Sequence, residues 1–269
     1  MPEMPEVETI KNELKPHILG REITGVTLFW EGMVKNSSPE NFRRRLIGQR
    51  ITGLDRRGKY LFLELSSGEV LVIHLRMSGS LLLSDRSDGR FTRAIIHLEG
   101  GMQLYFRDPR KFGVMWVAGD KSGVDARLGP EALAPDFTVT ELTELLRNRH
   151  APIKALLLDQ SLLAGIGNMY ADEALYAAGI HPLRPGGSLS QEEVGRLDAA
   201  IKDVLLSAVA NKGSSIVNYY RPGGELGSAQ VAFKVAHGRG KNCPVCRTPI
   251  QRIAVRNRGT YFCPRCQRM

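Results

Sequence analysis

Apolar positions follow two rhythms in the first half of this 269-residue chain. In PEVETIKNELKPHIL, Val7, Ile10, Leu14 and Ile18 recur near the 3.6-residue period of an amphipathic helix. Pro5, Glu6 and Glu8 suit its first turn, where proline is pre-organised and acidic side chains meet the positive end of the helix dipole. The rhythm then shortens. KYLFLEL, EVLVIHLRM, RAIIHLEG, MQLYFRD and FGVMWVAG are β-rich runs separated by Gly, Ser and Asp, which predicts a sandwich or barrel-like domain over residues 1–133. SDRSDGRFTR, between two of these runs, reads as a polar loop expected to be mobile.

After LGPEALAPDF the pattern turns helical, through TVTELTELLRNR, APIKALLLDQ, NMYADEALYAAG and SQEEVGRLDAAIKDVLLSAVANK. Ser190 and Glu193 have the spacing of a capping box at the head of the last and longest. Residues 213–240 are rich in Gly and Ser and irregular, a length of loop that compact domains keep for functional reasons. The chain carries no internal repeat. The elements describe an α+β multidomain protein, divided at 1–133, 134–236 and 237–269.

Composition adds one surprise. No apolar run approaches the ~18 residues that cross a membrane, and the N-terminus lacks the regions of a secretory signal, so a cytoplasmic location is expected. The net charge, however, is +9. Residues 236–269 hold seven arginines and one lysine (Arg239, Lys241, Arg247, Arg252, Arg256, Arg258, Arg265 and Arg268) and no Asp or Glu. So concentrated an excess makes a polyanion such as nucleic acid the leading partner class.

The same segment holds all four cysteines. Cys243-Pro-Val-Cys246, sixteen intervening residues, then Cys263-Pro-Arg-Cys266 is a two-knuckle zinc pattern with room for a β-hairpin between the knuckles. Two disulfides would conflict with a cytoplasmic chain, and a redox CxxC would want one such motif beside a βαβ unit. With all four ligand positions filled by cysteine, one Zn²⁺ would be structural and would hold up an element too small to bury a core.

Helix grammar leaves Pro2 and Glu3 unexplained. Methionine before proline is normally removed, which would free a secondary amine at Pro2. An α-amino group has a pKa of about 7.7–8.0, so it is partly neutral and nucleophilic at physiological pH. Such an amine can attack C1′ of a sugar and form a Schiff base. Glu3 beside it can move protons to and from the opening sugar. Lys59, in DRRGKYLFLEL, offers a cation at the tight entrance to a strand.

Taken in order, PE-x-PEVET, RRGKYL, HLRMSG, DPRKFG, GIGN-x-YADEALY and C-x₂-C-x₁₆-C-x₂-C resemble the bacterial formamidopyrimidine-DNA glycosylase family along essentially the whole chain. The resemblance implies an N-terminal β-sandwich with an opening helix, a helix–two-turn–helix domain with a lesion-recognition loop at about 213–240, and a C-terminal zinc-finger hairpin. It implies a monomeric base-excision repair enzyme that removes oxidised purines, 8-oxoguanine among them, from damaged double-stranded DNA and then cleaves the abasic site. An endonuclease VIII-like glycosylase for oxidised pyrimidines is the alternative within the class. A non-catalytic zinc-ribbon binder is the alternative outside it, and it would leave Pro2, Glu3 and Lys59 without a purpose.

By the same resemblance Pro2 would be the Schiff-base nucleophile, Glu3 the acid/base at the deoxyribose and Lys59 the proton donor of β-elimination. Arg258, five residues before Cys263, would bind phosphate and serve δ-elimination. Met77, Arg110 and Phe112 would fill the gap left by a flipped base; periodicity alone makes Met77 and Phe112 core residues, but the flanking turn residues Ser78-Gly79 and Asp108-Pro109 favour exposed loop tips. His74, Lys154 and Asn168 would face phosphates, with Gly165 and Gly167 allowing the tight turn before Asn168, and Glu173 would be structural. Two departures stand out. Arg93 occupies a place where the family commonly has histidine, which keeps a cation. The 213–240 loop lacks the family's aromatic-glutamine centre, which leaves lesion preference least determined.

Overall fold

The structure, a computed structural model, describes residues 2–84, 89–216 and 219–269; the centre of the SDRSDGRFTR loop (85–88) and two positions of the 213–240 loop (217–218) lie outside them. The chain forms two compact units, Met1–Ala126 with Val209–Gln230, and Arg127–Ala208 with Val231–Met269.

In the first unit helix α1 (Met4–Ile18) buries Val7, Ile10, Leu14 and Ile18, the stripe its sequence period predicts. Two four-stranded antiparallel sheets follow. One has the order β1 (Ile23–Leu28), β6 (Thr92–Leu98), β7 (Gln103–Arg107), β5 (Ser80–Leu82). The other has the order β2 (Ile51–Arg57), β3 (Tyr60–Leu65), β4 (Val70–His74), β8 (Val114–Ala118). Helix α2 (Pro39–Leu46) joins β1 to β2, and a single turn, α3 (Ser122–Asp125), follows β8. Strand β6 alternates strictly between buried and half-buried positions. Its Ala94, Ile96 and Leu98 pack with Leu61, Leu63, Leu71 and Ile73 of the other sheet and with α1 in one core, a sandwich of two inner faces.

Strands β1 and β2 escaped the sequence pattern for a shared reason. Each begins Ile-Thr-Gly, and in each the register shifts between the isoleucine and the glycine, Ile23 to Gly25 and Ile51 to Gly53. A bulge at that point breaks the two-residue alternation by which a strand is recognised.

The second unit contains α4 (Val139–Leu146), α5 (Ile153–Leu157), α6 (Asn168–Ala178), most of α7 (Gln191–Ala210) and the hairpin β9 (Gln251–Val255) with β10 (Arg258–Phe262). The capping box at α7 forms: Ser190 N donates to Glu193 Oε2 at 2.8 Å and Glu193 N to Ser190 Oγ at 3.2 Å. Helix α6 stops at Gly179, whose φ of 70° is the left-handed conformation that ends helices. Among the described residues no helix is long and apolar enough to cross a membrane.

Buried Glu173, on α6, accepts the backbone N–H groups of Lys234, Val235 and Ala236 at 2.8, 2.8 and 2.7 Å, and so holds an irregular segment against the helix. Val235 is buried, and leaving its N–H without an acceptor costs about 1–3 kcal/mol, whereas Lys234 is exposed and Ala236 half-buried, so water can serve theirs. Glu173→Ala should therefore lower unfolding free energy in urea by about 1–3 kcal/mol, and Glu173→Gln, which keeps one acceptor oxygen, by less. A loss below about 0.5 kcal/mol, the range of ordinary surface changes, would contradict this role.

Candidate active site and metal centre

Pro2 and Glu3 are both buried immediately ahead of α1. Termini usually fray; this one is tied down. Glu6, fully buried, accepts the N–H of Glu3 at 2.7 Å with one oxygen and that of Ser214 at 2.7 Å with the other. The Tyr219 hydroxyl donates to Glu6 O at 3.5 Å, and burial together with the charges of Glu6 and Glu13 pushes its pKa up. The carboxylate that looked like helix grammar thus joins the N-terminus to the start of the 213–230 segment.

Glu8 serves the next element. Its carboxylate accepts Arg56 Nε at 2.7 Å and pairs with Lys11 at 2.7 Å. Burial raises its pKa, but these two cations outweigh burial and hold it below the usual range. Arg56 Nη1 in turn donates to Gly58 O at 3.0 Å in the turn between β2 and β3, where Gly58 has φ 56°. Lys59 follows directly and is itself buried. Glu8 on α1, acting through Arg56 on β2, therefore sets the turn that carries Lys59.

His74 ends β4 opposite Tyr60, its ring meeting the phenol edge-on at 4.5 Å between centroids. Its Nδ1 accepts Arg76 N at 3.0 Å, which places the proton on Nε2. Burial, then the charges of Arg76 and Lys59, push its pKa down to about 3. His74 is thus a neutral imidazole that offers one N–H and no charge.

Met77 and Phe112 stand on separate loops, 37% and 46% exposed, and neither is a core residue. Asp108 joins the loops. Buried, it accepts the hydroxyl of buried Ser78 on one side and the N–H groups of Arg110 (3.1 Å) and Gly113 (2.7 Å) on the other. Two glycines make the approach possible: a Cβ at Gly79 would lie 2.6 Å from Leu75 O, and one at Gly113 would lie 2.4 Å from the Phe106 ring. The Arg110 guanidinium lies 4.7 Å over the Phe112 ring, and Arg93 Nε donates to Asp108 O at 2.8 Å. Ser78 and Asp108 appear in the sequence only as turn residues, and their joint role becomes visible when the loops meet.

In the second unit Lys154 departs from the expectation of a phosphate ligand. It is fully buried, and its ammonium donates to Asp172 Oδ1 and to Asn168 O, both at 2.6 Å, so its charge is spent inside the unit. Gly165 has φ 95°, and Gln160 holds the turn around it, accepting Gly165 N at 3.1 Å and donating to Ile166 O at 2.9 Å. A lone glutamine in an apolar helix pattern carries no sequence signal for this role. Asn168 opens α6 and donates through Nδ2 to Gly259 O at 2.9 Å. Exposed Arg258 opens β10 beside the two-residue turn of Arg256 and Asn257, whose φ values are 43° and 62°.

The four cysteine sulfurs lie within 4.8 Å of one another, with Cys243 to Cys266 at 3.8 Å and Cys246 to Cys263 at 3.4 Å. A tetrahedron of ~2.3 Å Zn–S bonds has edges of about 3.8 Å, so the donor set fits one zinc ion and leaves no ligand position open. Around it, Cys263 N donates to Gln267 Oε1 at 2.8 Å, and the Tyr176 hydroxyl lies 3.2 Å from Cys243 Sγ.

Models of three domains match consecutive stretches: the formamidopyrimidine-DNA glycosylase N-terminal domain over residues 1–115, the H2TH domain of the same glycosylase over 128–219, and the zinc finger found in FPG and IleRS over 240–268. The formamidopyrimidine-DNA glycosylase of Chloroflexus aurantiacus is 48% identical over 99% of this chain and 98% of its own length. The crystal structure of the MutM (Fpg) protein of Thermus thermophilus matches with a TM-score of 0.90 at 41% identity, covering 99% of this chain and 98% of that one. Lactococcus lactis Fpg in complex with DNA containing an abasic site matches with a TM-score of 0.92 at 35% identity over the whole of both chains.

Metal removal tests the finger. Stripping zinc with a chelator, or replacing Cys243 and Cys263 by Ser, should lose one zinc per chain and abolish amide-exchange protection of β9 and β10. A metal-free chain that kept that protection would contradict the zinc-dependent hairpin.

Proposed function

The chain belongs to the formamidopyrimidine-DNA glycosylase family, and from that premise we propose that it excises oxidised purines from duplex DNA through a Schiff base on Pro2 and then cleaves the abasic strand by β,δ-elimination. The observation that carries the reading is the terminal amine position itself: Pro2, with Glu3 beside it, buried and tied through Glu6.

The reading requires removal of the initiator methionine. The Pro2 nitrogen lone pair then attacks C1′ while the base leaves with the electrons of the glycosidic bond and takes up the proton that the Pro2 nitrogen gives up. Glu3 passes a proton to the ring oxygen as the sugar opens, giving a cationic iminium. That cation acidifies C2′. Loss of a C2′ proton and rupture of the C3′–O bond expel the 3′ phosphate; loss of a C4′ proton and rupture of the C5′–O bond expel the 5′ phosphate. Water hydrolyses the remaining unsaturated iminium and frees Pro2. Lys59, set by Glu8 and Arg56, supplies the cation near the first elimination, and Arg258 the cation at the phosphate of the second. Zinc supplies no step; it shapes the hairpin that bears Arg258.

A base inside a duplex must be turned out of the stack before this chemistry. Exposed Met77 and Phe112 are suited to fill the gap, with Arg110 stacked on Phe112 and free to meet the orphaned base. His74 would give one neutral N–H to phosphate, and Arg93 and Asn168 would serve the backbone likewise. Lys154, buried, would act only by holding the turn.

A cleavage panel of 8-oxoguanine, formamidopyrimidine and oxidised-pyrimidine duplexes tests the reading. Purine lesions should be cut fastest; preference for the pyrimidine lesion would replace the reading by an endonuclease VIII-like one. Unstacking a base costs a few kcal/mol, so Phe112→Ala should slow excision from intact duplex roughly ten- to a hundredfold and affect an abasic duplex less. Unimpaired excision would remove Phe112 from the flipping step.

A further inference from the structure

Asp172 is a buried charge that neither elimination uses. It lies on α6, 1% exposed, and its two oxygens go to different elements. Oδ1 accepts the buried Lys154 ammonium of α5 at 2.6 Å, and Oδ2 accepts Tyr261 N of β10 at 3.1 Å. The same ammonium donates to Asn168 O, and Asn168 Nδ2 donates to Gly259 O, again on β10. The hairpin geometry explains why these two strand residues are used. Arg258 pairs with Val255 across a two-residue turn, and bonded and non-bonded pairs alternate along an antiparallel ladder. Gly259 O and Tyr261 N therefore point away from β9, along the open edge of β10. Asp172 and Asn168 close that edge, and the first closed position adjoins Arg258.

A role in stability alone accounts poorly for this arrangement. A buried ion pair is costly to desolvate, and an apolar pair of similar volume is often as stable or more so. What an apolar pair could not supply is the acceptor for Tyr261 N and the donor for Asn168 O, which fix the phosphate-facing turn and the finger strand in one register. We propose that Asp172 is a positioning residue for Arg258: with Lys154 and Asn168 it locks the open edge of β10 to the start of α6 and so sets where the Arg258 guanidinium stands during the second elimination. The proposal rests on the reading of Arg258 given above.

The test is the ratio of δ- to β-elimination product from an abasic duplex, which counts only productive turnovers and is unaffected by any misfolded fraction. Three variants are compared with the full-length, zinc-loaded protein: Arg258→Ala, Asp172→Asn, and Lys154→Met with Asp172→Leu, whose apolar pair preserves packing if the lone asparagine does not fold. Displacing a group by about 1 Å can cost up to a hundredfold, so the double variant should lower the ratio about tenfold or more with zinc content retained, and Asp172→Asn, which keeps an acceptor for Tyr261 N, should lower it less. A lowered ratio in Arg258→Ala with wild-type ratios in both Asp172 variants would overturn the positioning role alone. An unchanged ratio in Arg258→Ala would overturn the reading of Arg258 and the positioning role with it.

Discussion

The carboxylate of Glu6 accepts two backbone N–H groups, Glu3 on one side and Ser214 on the other, in an environment closed to water. Chemistry through a terminal amine faces a physical conflict. The amine must sit at the chain end, where order is hardest to keep, yet it must meet one carbon of a large substrate in one orientation. Charge-assisted hydrogen bonds to backbone are about twice as strong as neutral ones, and enclosure strengthens them further. Helix α1 gives this anchor a rigid base through the Val7, Ile10, Leu14 and Ile18 stripe. From the same helix Glu8 holds Arg56, which in turn donates to Gly58 O, so one element sets both the N-terminus and, through Arg56, the turn that bears Lys59.

The device recurs. Asp108 gathers Ser78, Arg110 and Gly113, Glu173 gathers three successive amides, and Asp172 takes Tyr261 N. At Glu6, Asp108 and Glu173 a buried acidic side chain replaces the regular ladder that an irregular segment lacks, and at Asp172 it closes the open edge of a strand; at Glu6, Asp108 and Asp172 a residue of the proposed chemistry stands within four positions of a braced residue. Loops that carry function need to be fixed without being helices or strands; enclosed carboxylates accomplish this with few residues. Burial pushes Asp172 up to about 6 against the pull of Lys154, a sign of how much desolvation the fold sustains to keep that brace.

Much of this was legible in the residues. The period of α1, the alternation of β6, β7 and β8, the capping box at Ser190 and the cysteine spacing each follow from local rules, and each element stands where those rules put it. Strands β1 and β2 were hidden by bulges at Gly25 and Gly53, and β5, at three residues, is too short to show a period. The braces were hidden for a different reason. Glu6 and Glu8 satisfy helix grammar, so nothing marked them as tertiary ligands, and Lys154 has the composition of a phosphate contact until Asp172 and Asn168 close around it. That residues 209–230 pack with the first unit is likewise a long-range fact that no local pattern carries.

In the proposed mechanism the tied-down terminus is the reacting group. Borohydride reduction of the complex with an abasic duplex, followed by proteolysis and mass spectrometry, locates the adduct directly. A single modified peptide is expected, one that begins at Pro2 and carries the deoxyribose on its terminal nitrogen, with trapping reduced in Pro2→Gly. An adduct on Lys59, with the Pro2 peptide recovered unmodified, would make Lys59 and not the terminus the nucleophile.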